Sequence, residues 1–315
     1  MSAQRPGLLV ISALRPDQMA ALERDYDLVR MDQADDPRAL VTEVGGRIVA
    51  AVTTGSKGLA PDLLPLLPAL RILAVCSVGV DGVDLDAFRA RGIVVTNTPD
   101  VLNDDVADLA MGLILATHRQ IVPADAWVRS GNWATQGALP LTTGLAGRRL
   151  GLLGMGGVGS EIAARATAFR MPVGYCTRHE KPSDHTYFTD VTALATWADV
   201  LVLCLPGGPA TRHMVDAPVL RALGPKGVLI NVARGSVVDQ EALCDALSEG
   251  QIAAAGLDVF ETEPCTDDRL LGFDQVVLHP HHGSGTVATR DAMSQLVVDN
   301  ITAVLANEKA LTPVD

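Results

Sequence analysis

The chain has 315 residues, 48% of them apolar and 3% aromatic, and a formal net charge of −12 at pH 7. That length accommodates two domains of ordinary size, each with its own core. No apolar run approaches the roughly 18 uncharged residues of a bilayer span, and the acidic balance disfavours nucleic acid and anionic membrane as partners.

The apolar stretch in MSAQRPGLLVISALRP is too short for a secretory signal, and no small-residue cleavage site follows it. Cys76, Cys176, Cys204, Cys244 and Cys265 are scattered without CxxC spacing, which predicts free thiols in a reducing cytoplasm. Short β-rich runs then alternate with amphipathic stretches, the pattern of parallel α/β layers. Strands are predicted at Leu8–Ile11, Leu28–Arg30, Ile48–Val52, Ile72–Cys76 and Ile93–Thr96, with helices at Pro16–Tyr26 and Leu85–Arg91. A long helix is predicted from Asn103 to Arg119, with Asp104, Asp105 and Asp108 near its positive end.

A second series follows, with strands at Leu150–Leu153, Val173–Cys176, Val200–Leu205, Val228–Val232, Ala254–Leu257 and Val276–Leu278. Helices are predicted at Val158–Phe169 and Gln240–Glu249. A last helix, Thr286–Asn307, places Met293, Val297, Ile301 and Val304 on one face, and the first unit is the natural surface for it to cover. The expected organisation is discontinuous. Residues 1–98 form one doubly wound α/β domain, residues 99–284 a second one inserted into it, and residues 285–315 return to the first.

The motif GMGGVG, Gly154 to Gly159, directly follows the strand RLGLL and opens a helix. Gly154 allows the tight turn, Gly156 lets the backbone approach a pyrophosphate, and Gly159 permits close helix–strand packing. The N–H groups of Gly157 and Val158 then face the phosphates at the helix N-terminus. The strand PVGYC runs into Thr177-Arg178-His179-Glu180-Lys181, with no acid where free ribose hydroxyls would call for one. Thr177, Arg178 and Lys181 suit a 2′-phosphate, so NADPH is the expected cofactor, with NADH as the alternative.

Three polar residues lie just beyond later strands: Arg234 in NVARGSVVD, Glu263 in GLDVFETEP and His281 in HPHHGSGT. Reducing a 2-keto acid needs a cation for the carboxylate and a proton for the developing alkoxide. Arg234 offers a planar fork, His281 an imidazole, the side-chain type suited to proton transfer near neutral pH, and Glu263 would orient that ring. Taken singly, each is more often a surface charge or a structural histidine, and it is their shared position after the strands that favours chemistry. In the tract from His279 to His282 no cysteine or acid stands at ligand spacing, so no metal is expected.

These stretches, with SVGVDGVDLDA, VTNTPDVLNDDVADLAMGLILA, RSGNW, LPLTT and HPHHGSGTVATR, resemble the D-isomer-specific 2-hydroxyacid dehydrogenase family over essentially the whole chain. The similarity is greatest to its glyoxylate/hydroxypyruvate and hydroxyphenylpyruvate reductases. The resemblance implies a Rossmann cofactor domain inserted into a flavodoxin-like substrate domain, with a keto acid bound between them. It assigns Arg234 to substrate, Glu263 and His281 to proton donation, and the backbone of Val78 and Gly79 to the substrate carboxylate. Asp258 is implied near the nicotinamide amide and Val232 beside the ring, while Met155, His179, Leu205 and Pro206 complete the expected cofactor contacts. A homodimer through the cofactor domain is implied as well, built on the Asn103–Arg119 helix and the region through Trp133. His282 departs from the apolar residue common after the family's catalytic histidine. The competing readings are an NADH-linked dehydrogenase of lactate or phenylpyruvate type and, in another class, a dinucleotide-sensing corepressor.

Overall fold

A computed structural model describes residues 5–314. Residue contacts divide the chain into two compact units, one running to Leu102 and resuming at Gly285, the other Asn103–Ser284. The first crossing therefore lies four residues beyond the one expected after residue 98.

In the first unit, β1 (Gly7–Val10), β2 (Asp27–Arg30), β3 (Ile48–Thr53), β4 (Ile72–Val75) and β5 (Val94–Thr96) form one parallel sheet in the order β2-β1-β3-β4-β5. Helices α1 (Pro16–Asp25), α2 (Pro37–Val44) and α3 (Leu85–Ala90) serve as crossovers. All of β1 and β4 is buried, because both faces of a parallel sheet are covered. One cover is the C-terminal helix, Val287–Leu305, capped by the Thr286 hydroxyl. Its Val297, Ile301 and Val304 pack among Leu8, Val10, Ala50, Val52, Ile72 and Ala74.

The second unit opens with three helices, α4 (Asn103–His118), α5 (Ile121–Arg129) and α6 (Asn132–Gln136). Seven parallel strands follow: β6 (Leu150–Leu153), β7 (Val173–Cys176), β8 (Thr186–Phe188), β9 (Val200–Leu203), β10 (Val228–Asn231), β11 (Ala254–Leu257) and β12 (Val276–Leu278). Their order is β12-β11-β10-β9-β6-β7-β8. Between them lie α7 (Gly157–Ala168), α8 (Val191–Trp197), α9 (Ala217–Leu223), α10 (Gln240–Ser248) and α11 (Asp268–Leu271). Asp190, Asp216, Asp239 and Asp267 cap α8 to α11 with their side chains, each worth about 1 kcal/mol.

The strand order reverses between β6 and β9, so the crevice of this unit opens at their carboxyl ends. Strand β8 was absent from the sequence reading. It has three residues at the sheet edge and gains its strand character by pairing Tyr187 with Tyr175 of β7, a tertiary effect. The apolar face of α4 is spent inside this unit, on Val106, Ala107, Ala110, Met111, Leu113 and Ile114.

Candidate active site

The turn after β6 is shaped for a diphosphate. Gly154 sits at φ +108°, where L side chains are strained, and an added Cβ would stand 2.6 Å from the Cys204 carbonyl oxygen at the end of β9. A Cβ on Gly159 would meet the Gly154 oxygen at 2.5 Å, and one on Gly157 would collide with the Asn103 side chain. Gly156 is different, since nothing lies within 4 Å of a Cβ there. The space outside the turn is open, while everything behind it is closed. Behind it, burial pushes the Cys204 thiol up to about 12, and the neutral group donates to the Gly154 oxygen at 3.1 Å. The twelve-residue α7 starts with no side-chain cap, so its first N–H groups are available to an anion. These residues fit a dinucleotide, and Leu205 and Pro206 follow β9 on the opposite side of the same switch point.

At the end of β7, Thr177 Oγ1 donates to the His179 carbonyl at 2.6 Å and Arg178 projects from an exposed position. Lys181 does something the sequence did not suggest. Its ammonium donates to the Met155 carbonyl at 2.7 Å, inside the glycine turn, and ties the two loops together.

Arg234 follows β10, at the start of a single 3-10 turn. Buried Asn231 fixes that turn, accepting from the Ala233 N–H at 3.0 Å and donating to the Arg234 carbonyl at 3.0 Å. Gly235 packs directly on the Phe260 backbone, which leaves no room for a side chain. The Arg234 turn is thereby pressed against the loop that carries Glu263. From that loop, Glu263 Oε2 accepts from His281 Nδ1 at 2.6 Å, while Oε1 accepts from the Phe260 N–H at 3.0 Å. A carboxylate acceptor at Nδ1 means that this nitrogen carries the proton. His281 Nε2 has no hydrogen-bond partner among the described residues.

Burial pushes the Glu263 carboxyl up, but the hydrogen bonds from His281 and Phe260 and the charges of His281 and Arg234 outweigh it. The net effect holds Glu263 below its ordinary 4.5.

Asp258 follows β11 and is 3% exposed. Its Oδ1 accepts from His279 Nδ1 at 2.6 Å and from the His282 N–H at 2.8 Å, and its Oδ2 from the Gly283 N–H at 2.9 Å. The main chain of His281, in the left-handed region at φ +48°, donates to the Asp258 carbonyl at 2.7 Å. Asp258 is thus the post on which the histidine loop is built. His279 and His281 turn to different carboxylates, Asp258 and Glu263. Val232 is half-buried and bonds to β9 through its N–H.

Val78 and Gly79 belong to the first unit, where Asn97 Nδ2 holds the Val78 carbonyl at 2.8 Å. Their own N–H groups have no acceptor among the described residues. Asn231, Gly235 and Asp258's grip on the histidine loop escaped the sequence reading. The one available signal was a polar Asn ending the apolar strand VLIN.

Comparison with known proteins agrees with this geometry. Residues 111–283 match the model of the D-isomer-specific 2-hydroxyacid dehydrogenase NAD-binding domain. The chain is 44% identical over 309 residues to a glyoxylate/hydroxypyruvate reductase A of Arabidopsis thaliana, covering 98% of each chain. It is equally identical, with the same coverage, to a hydroxyphenylpyruvate reductase of Plectranthus scutellarioides. Among solved structures, it superposes with a TM-score of 0.93 on an NADPH-dependent glyoxylate/hydroxypyruvate reductase of Sinorhizobium meliloti in complex with NADP and malonate. That pair shares 45% identity, over 99% of this chain and 97% of the other. A Rossmann switch point, a glycine cradle and full-length relatives of this kind lead to one conclusion: the chain belongs to the D-isomer-specific 2-hydroxyacid dehydrogenase family, and is an NAD(P)-dependent oxidoreductase acting on CH–OH groups.

Proposed function

We propose that this protein reduces glyoxylate and hydroxypyruvate to glycolate and D-glycerate, with NADPH as the preferred donor, in the cytoplasm. The observation that carries the proposal is the Glu263–His281 pair, bonded through Nδ1 at 2.6 Å with Nε2 left open. The Arabidopsis and Sinorhizobium relatives, both named as glyoxylate/hydroxypyruvate reductases, support the substrate class.

The residues divide the work as follows. Arg234 binds the substrate's carboxylate and keto oxygen through its fork. In the first unit, the N–H groups of Val78 and Gly79, which have no acceptor among the described residues, are donors suited to a carboxylate. His281 Nε2 gives its proton to the keto oxygen as the carbonyl carbon is reduced, and Glu263 keeps the ring oriented through its bond to Nδ1. A reduced nicotinamide, when bound, supplies the hydride. Residues 154–159 would hold its pyrophosphate, Asp258 its amide, and Val232, Leu205 and Pro206 its ring. Arg178 and Thr177, where an NAD-specific protein would carry an acid, support NADPH.

We assign a homodimer to the same protein. Ile121, Val122, Val128, Trp133 and Leu141 are exposed apolar residues crowded into one short stretch of the cofactor unit.

Steady-state kinetics with glyoxylate, hydroxypyruvate, pyruvate and phenylpyruvate, each with both nicotinamides, test the reading. The highest kcat/KM is expected for hydroxypyruvate or glyoxylate with NADPH. A preference for phenylpyruvate, or an L-configured product, overturns it.

A further inference from the structure

Strand β7 carries a fully buried tyrosine whose hydroxyl the core does not need. Tyr175 is 0% exposed, and phenylalanine would fill the same space. A buried hydroxyl is costly unless paired, and this one is paired twice with the same residue. It accepts from the Lys181 N–H at 3.0 Å and donates to the Lys181 carbonyl at 2.9 Å.

Its ring neighbour, Tyr187 of β8, lies 5.4 Å away and donates to the Thr177 carbonyl at 3.2 Å. The two phenols therefore pin both ends of the five-residue turn 177–181 from below. Within the turn, the Thr177 hydroxyl bonds to the His179 carbonyl, and the Lys181 ammonium reaches the Met155 carbonyl in the glycine cradle. Arg178, His179 and Glu180 face outward, all exposed, and Arg178 is the guanidinium among them, without a partner among the described residues.

A guanidinium on a turn fixed at both ends, beside a dinucleotide cradle, suits a phosphate monoester on the adenosine ribose. We propose that Tyr175 and Tyr187 are positioning residues for cofactor choice: they hold the 177–181 turn ready, so that a 2′-phosphate meets the Arg178 guanidinium without the cost of ordering the turn that carries it. The inference rests on the NADPH assignment above. It also gives the short edge strand β8 a role, as the carrier of one of the two phenols.

Isothermal titration calorimetry with NADPH and with NADH, on the unaltered protein, Tyr175→Phe, Tyr187→Phe and Arg178→Ala, tests it. Loss of the paired hydroxyl in Tyr175→Phe should raise the Kd for NADPH about tenfold, the size expected for two net hydrogen bonds of ordinary strength. The Kd for NADH should change less than about twofold. Tyr187→Phe should act in the same direction and more weakly. That variant sits at the sheet edge and carries the test if Tyr175→Phe does not fold.

Equal weakening toward both nicotinamides, or unchanged discrimination in the folded tyrosine variants, overturns the inference. If Arg178→Ala abolishes discrimination while the tyrosine variants keep it, the NADPH assignment stands and the positioning role falls. If the unaltered protein binds both nicotinamides equally, the NADPH assignment itself fails and takes the inference with it.

Discussion

His281 owes its place to contacts that are mostly not its own. Its main chain hangs from Asp258 and its ring is aimed by Glu263, so one nitrogen is committed and the other is open. Replacing it with glutamine keeps a hydrogen-bonding group but removes the transferable proton. His281→Gln should lower kcat by about 10²–10⁴-fold while the Kd for NADPH, measured by calorimetry, stays within about twofold. Arg234→Ala should instead act mainly on kcat/KM, because it removes substrate binding as well as orientation. The depressed Glu263 carboxyl makes a pH prediction. A group whose folded pKa is lowered stabilises the protein above its unfolded value, and that contribution is lost as pH falls through the folded one. The melting-temperature gap between the unaltered protein and Glu263→Gln should therefore be full above pH 4.5 and close below it. A gap that widens on acidification would contradict the carboxylate assignment.

At the level of elements, the β6–α7 turn separates two kinds of glycine. Gly159 is packed, since its missing Cβ would press on the Gly154 carbonyl at 2.5 Å, whereas Gly156 faces open space. Gly159→Ala should thus cost about 1–3 kcal/mol of stability by overpacking. Gly156→Ala should leave the denaturation midpoint nearly unchanged, within about 0.5 kcal/mol, yet weaken NADPH binding. Chemical denaturation alongside calorimetry separates the two effects. If Gly156→Ala binds NADPH normally, the turn is not the pyrophosphate cradle.

For the whole molecule, α5, α6 and the segment after them carry five exposed large apolar residues, Ile121, Val122, Val128, Trp133 and Leu141. Leu141 is fully exposed and Trp133 is 63% exposed. Sedimentation should give about twice the 33.0 kDa chain mass, and Val122→Asp combined with Leu141→Asp should shift it toward the single-chain value. A monomeric unaltered protein would sink the dimer assignment.

The local layout was legible because strands and helices announce themselves through short-range periodicity. LGLL, VLVL and VLIN are continuous apolar runs buried on both faces, and Asp caps precede several helices. The glycine motif and the order Arg234, Glu263, His281 were readable for the same reason: each is a fixed chemistry just beyond a strand. What only the tertiary structure decided is how distant residues constrain one another. Strand β8 exists because Tyr187 pairs with Tyr175, Lys181 turns back to Met155, and Asp258 bonds across to residues 279, 282 and 283. Such bonds join positions 12 to 26 residues apart as readily as neighbours, and nothing in the periodicity of either segment encodes the partner.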